Sequence, residues 1–252
     1  MGRALSERTG HLNLFQAIDD AVAGGGLLVA ADFDGTLAPL VANPDEAVTN
    51  SRAMAALLEL ASRTGVTVAI VSGRRREDLE SLVGHAPGVT LVGEHGNDYG
   101  DWSGPIDSQI GEIRSELEAV AATAPGSIVE SKRHSVAFHH RNARRKDAAR
   151  VLQRIRAWAA DRTGITITEG KMILELSVAT RDKGNAVADL IDESGARSVL
   201  FLGDDTTDET VFAMLRPVDI GVKVGPGASA AKYRVKDIEA VAELLERVND
   251  VF

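Results

Sequence analysis

DFDGTLAPL, at residues 32–40, follows the apolar run Leu27–Ala31, which is typical of a buried strand in a parallel sheet. Asp32 and Asp34 therefore lie where this strand ends, and Gly35 begins the turn after them. In open α/β sheets, ligands bind just beyond the carboxyl ends of the strands. Two carboxylates at that point lose solvation unless a positive group joins them. The stretch predicts a site for a divalent metal or a phosphorylated ligand.

The bulk composition excludes several classes of protein. The chain has 252 residues, a formal net charge of −9 and no cysteine. The negative charge disfavours a nucleic-acid partner, and the lack of cysteine excludes disulfides, thiolate zinc sites and cysteine nucleophiles. The first residues lack the apolar core of a signal peptide, and no apolar run approaches the ~20 residues of a membrane span. We expect a cytoplasmic protein with no membrane association.

Apolar runs alternate with helical patterns on both sides of the middle of the chain. Further strands are predicted at Val66–Val71, Val89–Val92, Val199–Leu202 and Asp219–Val222, with helices at Ser51–Arg63, Arg75–Val83 and Ile238–Val248. This βαβ rhythm predicts a Rossmann-like α/β fold, in which helices cover both faces of a parallel sheet.

The middle of the chain breaks this rhythm. Helices are predicted at Ile106–Ala122 and Ala143–Thr163, and strands at Ser127–Val129, Ser135–His139, Ile165–Glu169 and Met172–Leu176, with a turn at Gly170. The order α-β-β-α-β-β predicts a small α+β domain over residues 102–179. It is inserted into a core made of residues 1–101 and 180–252.

Four short segments lie at predicted strand ends or helix starts of the core. They are Asp32–Thr36, Ser72–Arg74, Lys183–Gly184 and Gly203–Asp208. Each alone is ordinary: Asp and Gly favour turns, and a single lysine is usually a solvated charge. Their combination at one end of the sheet is a much more specific sign of a functional site than any one of them alone.

The acids of these segments suit phosphoryl transfer. Asp32 can attack phosphorus as a carboxylate nucleophile, and Asp34 can protonate the leaving oxygen and then activate water. Mg²⁺ prefers hard oxygen ligands, which Asp32 and Asp204 can supply with the backbone carbonyl of Asp34. Asp208 is either a further ligand or a support for one.

The remaining groups suit a bound phosphate. Ser72 and the amides beside it, including that of Gly73, can hold phosphate oxygens. Lys183 can offset the charges of Asp32 and phosphate. Phosphoryl transfer depends mainly on such positioning and charge neutralisation.

The four segments resemble the four signature motifs of the haloacid dehalogenase (HAD) superfamily, in its phosphatase branch. The inserted domain resembles the C2-type cap of that superfamily, a lid that closes over the site. The resemblance covers the whole chain. It implies a Mg²⁺-dependent phosphatase that forms an aspartyl-phosphate.

Longer matches resemble the trehalose-6-phosphate phosphatases. These matches are DFDGTLAPL, VSGR at 71–74, GEHG at 93–96, VESKRHSVAFHHR at 129–141, GKMILEL at 170–176, RDKG at 181–184 and GDDTTDE at 203–209. The resemblance implies trehalose 6-phosphate as substrate and a functional link to a trehalose-6-phosphate synthase. It implies that cap residues bind the sugar, namely Glu130, Lys132, Arg141 and Glu175. It also implies substrate contacts from the core, namely Arg74, Glu94, His95 and Gly96.

Simpler explanations remain open for several of these residues. Glu130 and Lys132 can form an exposed cross-strand pair, and His95 can be a core histidine. Arg141 can belong to a solvated helix start, as we expect for residues 144–146. Open alternatives for function are a phosphatase for another glycosyl phosphate, such as sucrose phosphate or a glycosyl-phosphoglycerate, and a non-catalytic sugar-phosphate sensor.

Overall fold

The computed structural model describes residues 2–99, 107–132, 134–178 and 181–252. Its contacts divide the chain into two compact units. The core unit comprises Met1–Gly96 and Lys183–Phe252, and the cap unit comprises Asn97–Asp182. The predicted domain boundaries at 101/102 and 179/180, and the predicted helix start at Ile106, lie outside the described residues.

The core unit contains a six-stranded parallel sheet in the order β10-β9-β8-β1-β2-β3. Its strands are β1 Leu27–Ala31, β2 Val66–Val71, β3 Val89–Val92, β8 Ser198–Gly203, β9 Ile220–Val224 and β10 Tyr233–Val235. Its helices are α1 Gly2–Gly24, α2 Ser51–Ala61, α3 Arg76–Val83, α6 Lys183–Ser194, α7 Glu209–Met214 and α8 Ile238–Val251. The predicted parallel sheet is confirmed, and α1, α7 and β10 are additions to it.

The central strand β1 is buried on both faces, as its unbroken apolar sequence predicts. Leu27, Val29 and Ala31 share one hydrophobic core with α1, α2 and α8. Leu28 and Ala30 point to the opposite face and are also fully buried. Because β1 lies between β8 and β2, the chain segments that follow these three strands emerge side by side at one edge of the sheet.

Caps in the sequence fix where two of the helices begin. The Asn50 side chain accepts hydrogen bonds from the backbone amides of Arg52 and Ala53 at the start of α2. The Asp237 carboxylate accepts one from the amide of Ala240 in the first turn of α8. These bonds satisfy amides that have no partner within the helix.

The cap unit contains a four-stranded antiparallel sheet in the order β4-β5-β7-β6. Its elements are α4 Asp107–Ala121, β4 Ile128–Ser131, β5 Ser135–His139, α5 Arg145–Ala160, β6 Thr166–Gly170 and β7 Ile173–Ser177. The predicted order α-β-β-α-β-β is confirmed. The turn between the last two strands is at residues 171–172, one residue beyond the predicted Gly170.

The two faces of the cap sheet differ in chemistry. Val136, Phe138, Leu174 and Leu176 form a hydrophobic core with α4 and α5 on one face. Side chains alternate along each strand, so the residues between these point to the other face. That second face, which we call the polar cap face, carries Glu130, Lys132, Ser135, His139 and Glu175.

Candidate active site

Three adjacent strands deliver the site residues of the core unit. Asp32 directly follows β1, Ser72 follows β2 and Asp204 follows β8. The amide of Asp32 donates to the carbonyl of Leu202 at 2.9 Å, which extends the sheet pairing to the first residue of the motif. The sheet order therefore brings together three of the four predicted segments, although they are up to 172 positions apart (204 − 32).

Lys183 supplies the fourth segment at the first residue of α6. Its ammonium donates to a carboxylate oxygen of Asp32 at 2.7 Å and of Asp208 at 2.8 Å. All three side chains are buried, with Lys183 only 2% exposed. Lys183 therefore holds the predicted nucleophile and an acid of the fourth segment in fixed positions.

The pKa values of Asp32 and Lys183 follow from their burial and from the charges beside them. Burial raises the pKa of Asp32 well above its ordinary value, the charge of Lys183 opposes this, and the charges of Asp208 and Asp204 add to it. Burial alone lowers the pKa of Lys183, but the charges and hydrogen bonds of Asp208 and Asp32 raise it above its ordinary value. The lysine therefore stays protonated and is the fixed positive group of the cluster.

Three buried acids form a cluster with the composition of a metal site. Asp32, Asp204 and Asp208 each offer a carboxylate oxygen within 4.8 Å of the others. With all three carboxylates ionised, the cluster and the Lys183 ammonium would carry two negative charges in sum, which a divalent cation would balance. An all-oxygen carboxylate set suits a hard cation. The donor set therefore fits the predicted metal, with Asp208 inside the cluster.

Two glycines leave room for these carboxylates. A Cβ added to Gly35 would lie 2.3 Å from Oδ2 of Asp204, and one added to Gly203 would lie 2.4 Å from Cγ of Asp208. Gly35 also has a φ of +89°, which disfavours any side chain. The glycines of the first and fourth segments are therefore packing requirements of the acidic cluster as well as turn residues.

Asp34, the predicted acid and base, is paired with Arg74. The guanidinium donates to both carboxylate oxygens, each at 2.7 Å, and its third contact is the carbonyl of Pro44 at 2.9 Å. The guanidinium also lies over the ring of Phe33, 5.3 Å from its centre. The predicted contact of Arg74 with substrate stays a prediction, and in the structure its guanidinium fixes the position of the Asp34 carboxylate.

The Ser72–Arg74 loop is joined to the turn at Glu94–Gly96. The amide of His95 donates to the carbonyl of Ser72 at 2.9 Å, and the amide of Glu94 donates to that of Arg74 at 2.8 Å. The His95 ring lies so close to Gly73 that an added Cβ would be 2.4 Å from it. His95 is half-buried with a φ of 56°, so it is a loop residue beside the predicted phosphate loop rather than a core histidine.

The polar cap face joins most of the predicted sugar-binding residues. The Lys132 ammonium donates to Glu175 at 3.1 Å, and both side chains are buried. The Ser135 hydroxyl donates to the same carboxylate. The alternative of an exposed pair between Glu130 and Lys132 is therefore wrong, because Lys132 is buried and its ammonium contacts Glu175 of β7.

Glu130 is paired with His139 instead. Nε2 of His139 lies 2.8 Å from Oε2 of Glu130. Burial raises the pKa of Glu130, but the hydrogen bond with His139 and the charge of Lys132 bring it below its ordinary value. Arg141 is exposed and donates to the carbonyl of Lys171 at 3.4 Å.

Comparisons with known proteins fit this geometry. A family model described as trehalose-phosphatase matches residues 30–239. The chain belongs to the trehalose-phosphatase family. It is 36% identical over 231 residues to a bifunctional trehalose-6-phosphate synthase/phosphatase of Thermoproteus tenax, covering 88% of this chain and 32% of that protein. It is 34% identical over 283 aligned positions to a trehalose-phosphate phosphatase of Mycobacterium avium, covering 98% of this chain and 70% of that one.

Solved structures share the fold. The C-terminal domain of a C. albicans trehalose-6-phosphate phosphatase has a TM-score of 0.80 at 22% identity and covers 94% of this chain and 97% of that one. A phosphatase of the haloalkanoate superfamily from Bacteroides thetaiotaomicron has a TM-score of 0.60 at 14% identity and covers 89% and 95%. The predicted HAD fold with an inserted cap is confirmed, and so is the prediction of a phosphatase. Among the described residues, no helix has the length and hydrophobicity needed to cross a membrane.

The sequence motifs of the trehalose-phosphatase family did not reveal three features of the site. These are the pairing of Arg74 with Asp34, the Ser135 hydroxyl on Glu175 and the contact of His139 with Glu130. Strand alternation was the available signal for the last two, since residues 130, 135, 139 and 175 share a face only in one sheet register.

Proposed function

We propose that this phosphatase hydrolyses trehalose 6-phosphate to trehalose and phosphate, with Mg²⁺ and through a phosphoryl group carried by Asp32. The observation that carries this proposal is the cluster of Asp32, Asp204 and Asp208 around Lys183 at the carboxyl end of the sheet. The substrate follows from the names of the relatives, since those phosphatases are named for trehalose phosphate. The chain spans about a third of the length of the Thermoproteus tenax relative, so the assignment concerns the phosphatase part.

The first half of the reaction transfers the phosphoryl group to the protein. A carboxylate oxygen of Asp32 attacks phosphorus, and the bond from phosphorus to the sugar oxygen breaks. Asp34 enters this step protonated, which leaves one of its two oxygens to accept from Arg74, and it gives the proton to the sugar oxygen, so trehalose leaves as a neutral alcohol. Lys183 stays protonated and offsets the charge of the entering phosphate.

The second half returns the protein to its starting state. Asp34, now ionised, takes a proton from water, and the water oxygen attacks phosphorus. The bond from phosphorus to Asp32 breaks and inorganic phosphate is released. Ser72 and the amide of Gly73 hold the phosphate oxygens through both halves. Asp32, Asp204 and Asp208 would hold Mg²⁺ with the backbone carbonyl of Asp34, and the ion would supply positive charge to the carboxylates and phosphate.

The polar cap face provides the groups that recognise the sugar. Glu130, Lys132 and Glu175 of this face, and Arg141 after β5, offer donors and acceptors for sugar hydroxyls. In the core unit, the substrate contacts that we propose are Glu94, His95 and Gly96. Buried hydrogen-bonding groups discriminate well between such ligands, because a mismatched ligand leaves them without partners.

A link to a trehalose-6-phosphate synthase is part of the proposal. The Thermoproteus tenax relative carries synthase and phosphatase in one chain. The link is tested by adding this protein to a trehalose-6-phosphate synthase assay. We expect the final product to be trehalose, where the synthase alone produces trehalose 6-phosphate.

Phosphate release from a panel of sugar phosphates tests the substrate and the metal together. The panel contains trehalose 6-phosphate, sucrose 6-phosphate and a glycosyl-phosphoglycerate, each with MgCl₂ and with chelator. We expect the first to be preferred and chelation to abolish turnover. Preference for another sugar would overturn the substrate, and turnover with chelator would overturn the metal. No release from any of them would favour a sensor.

Labelling tests the phosphorylated aspartate. With ³²P-labelled substrate and acid quenching, we expect label on the protein that hydroxylamine removes. An Asp32→Asn variant should carry none and should release no phosphate. Turnover by that variant would overturn the nucleophile.

A matched pair of variants tests the polar cap face. Glu175→Ala removes a carboxylate from that face, whereas Glu169→Ala removes one that pairs with Arg156 of α5 on the other face. Loss of hydrogen bonds to a charged group predicts a fall of about 10- to 100-fold in kcat/KM for trehalose 6-phosphate. Turnover of p-nitrophenyl phosphate should change little, and Glu169→Ala should leave both substrates unaffected. Equal losses on both substrates would remove the sugar-binding assignment; Glu130→Ala provides a second variant with a less buried side chain.

A further inference from the structure

A second buried lysine lies beside the acidic cluster. Lys223 is on β9, paired in register with Gly203 at the end of β8, and it is 4% exposed. Its ammonium donates to the backbone carbonyl of Asp204 and, at 3.1 Å, to that of Val224. No motif of the sequence analysis includes this residue.

Burial of the Lys223 ammonium costs free energy of solvation, and the packing of β9 does not require a lysine at this position. Ile220, Val222 and Val224 of β9 pack into the core with α8. Gly221 faces the other way, where an added Cβ would meet Leu215 and Phe212. Lys223 shares that second face, on which an aliphatic side chain would pack without any desolvation of charge.

The partners of Lys223 are unusual for a buried ammonium. Lys183 has two carboxylates within 2.8 Å. Within the described ranges, Lys223 has no carboxylate at ion-pair distance, and its acceptors are the two carbonyls. Its charge is therefore not used in a simple buried ion pair, and one of its two hydrogen bonds is to Asp204, the first acid of the fourth segment.

We infer that Lys223 is a positioning residue that fixes Asp204 for cation binding, an inference that rests on the proposed Mg²⁺ site. Asp204 is held at two points. Its carbonyl accepts from Lys223, and its carboxylate packs against Gly35. A metal ligand must be placed to within about 0.2 Å, so an anchor on its own peptide group sets the affinity for the ion. Groups that orient ligands typically alter metal affinity by 10–100-fold when they are lost.

Lys223→Met tests the inference because Met keeps the length of the side chain and removes the donor and charge. We expect the MgCl₂ concentration that gives half of the Mg²⁺-induced rise in Tm, without substrate, to increase about 10- to 100-fold. The concentration for half-maximal phosphate release should increase by the same factor. At saturating Mg²⁺, KM for the sugar phosphate should stay unchanged. NaCl of equal ionic strength serves as the blank.

A control separates positioning from general loss of stability. Leu245 is fully buried on α8, so Leu245→Ala lowers Tm without touching the Asp204 loop. Its Mg²⁺ midpoint should match that of the wild type. The inference is overturned if the midpoint of Lys223→Met lies within twofold of that of Leu245→Ala. If Lys223→Met does not fold, Lys223→Gln is measured against the same limit.

The variant Asp204→Asn distinguishes a failure of the proposed metal site from a failure of the role inferred for Lys223. This variant should lose the Mg²⁺-induced rise in Tm if the proposed metal site is right. If it binds Mg²⁺ as well as the wild type, the site itself is wrong and the inference falls with it. If it loses binding while Lys223→Met retains it, the metal site stands and only the role of Lys223 is refuted.

Discussion

Replacing Gly35 by alanine tests the packing of the acidic cluster most directly. A Cβ at residue 35 would lie 2.3 Å from Oδ2 of Asp204, 2.4 Å from its Cγ and 2.6 Å from its Oδ1. All three atoms of the carboxylate group are in the way, so rotation of the group about its own bond does not relieve the clash. Either Asp204 or the turn that carries Gly35 must move.

The distance by which Asp204 or the turn at Gly35 must move sets the expected loss of activity. Ordinary van der Waals contacts begin at 3.4 Å, so the two groups must separate by about 1.1 Å (3.4 − 2.3). A misplacement of about 1 Å in an active site can cost on the order of 100-fold in rate. That factor corresponds to about 2.7 kcal/mol in activation free energy. We expect kcat/KM at saturating Mg²⁺ to fall by about this factor.

A matched glycine controls for backbone strain. Gly65 has a φ of +81°, close to the +89° of Gly35, but its nearest neighbour to an added Cβ is the amide nitrogen of Gly26 at 3.8 Å. Gly65→Ala therefore adds a similar left-handed strain, about 1–2 kcal/mol, without a clash. Phosphate release and Tm are measured for both variants. The reasoning is refuted if Gly35→Ala loses no more activity than Gly65→Ala.

Three further changes have expected outcomes. Lys183→Met leaves two buried carboxylates without their ammonium, so urea denaturation should show a loss of about 3–5 kcal/mol in the free energy of unfolding, and a loss below about 1 kcal/mol would contradict the buried network. Arg74→Lys cannot hold both oxygens of Asp34, so kcat should fall about tenfold at constant KM; a rise in KM at constant kcat would instead make Arg74 a substrate contact. Because the folded pKa of Glu130 is depressed, its pairing stabilises above the unfolded pKa of about 4.3 and is lost as pH falls through the folded pKa. The difference in Tm between wild type and His139→Asn should therefore be largest above about pH 5 and shrink toward about pH 3, and a constant difference would argue against this coupling.

Strong periodicity explains what the sequence could predict about the fold. The strands β1 and β2 have the same bounds in the structure as in the sequence pattern, because their residues are apolar apart from the half-buried Thr67, as is typical of buried parallel strands. β10 has only three residues, too few for any period to appear. In α1, Leu14, Ile18 and Ala21 pack into the core, but this short pattern lies next to a run of glycines and does not by itself predict a helix.

The site was predictable where residues act through their place on the sheet edge. Asp32, Asp204 and Lys183 meet because three strand ends and one helix start converge, and sheet topology alone brings them together. The pairing of Arg74 with Asp34 depends on rotamers, since a guanidinium after β2 can face either substrate or the neighbouring strand end. Motif resemblance gives a residue its place in the family pattern and does not give its partner.

The order of strands in the core sheet also constrains how the chain acquires its structure during synthesis. Leu27 of β1 pairs with Ser198 of β8, 171 positions later (198 − 27). At about 5–20 residues per second, a ribosome needs roughly 10–30 seconds to make the intervening chain. During that time the nascent β1 lacks one of its two neighbours, while residues 97–182 already contain all the strands of their own sheet. The nascent protein therefore completes its acidic cluster only after the cap unit has been made, and a chain cut short before Ser198 exposes an unpaired apolar strand edge that favours aggregation.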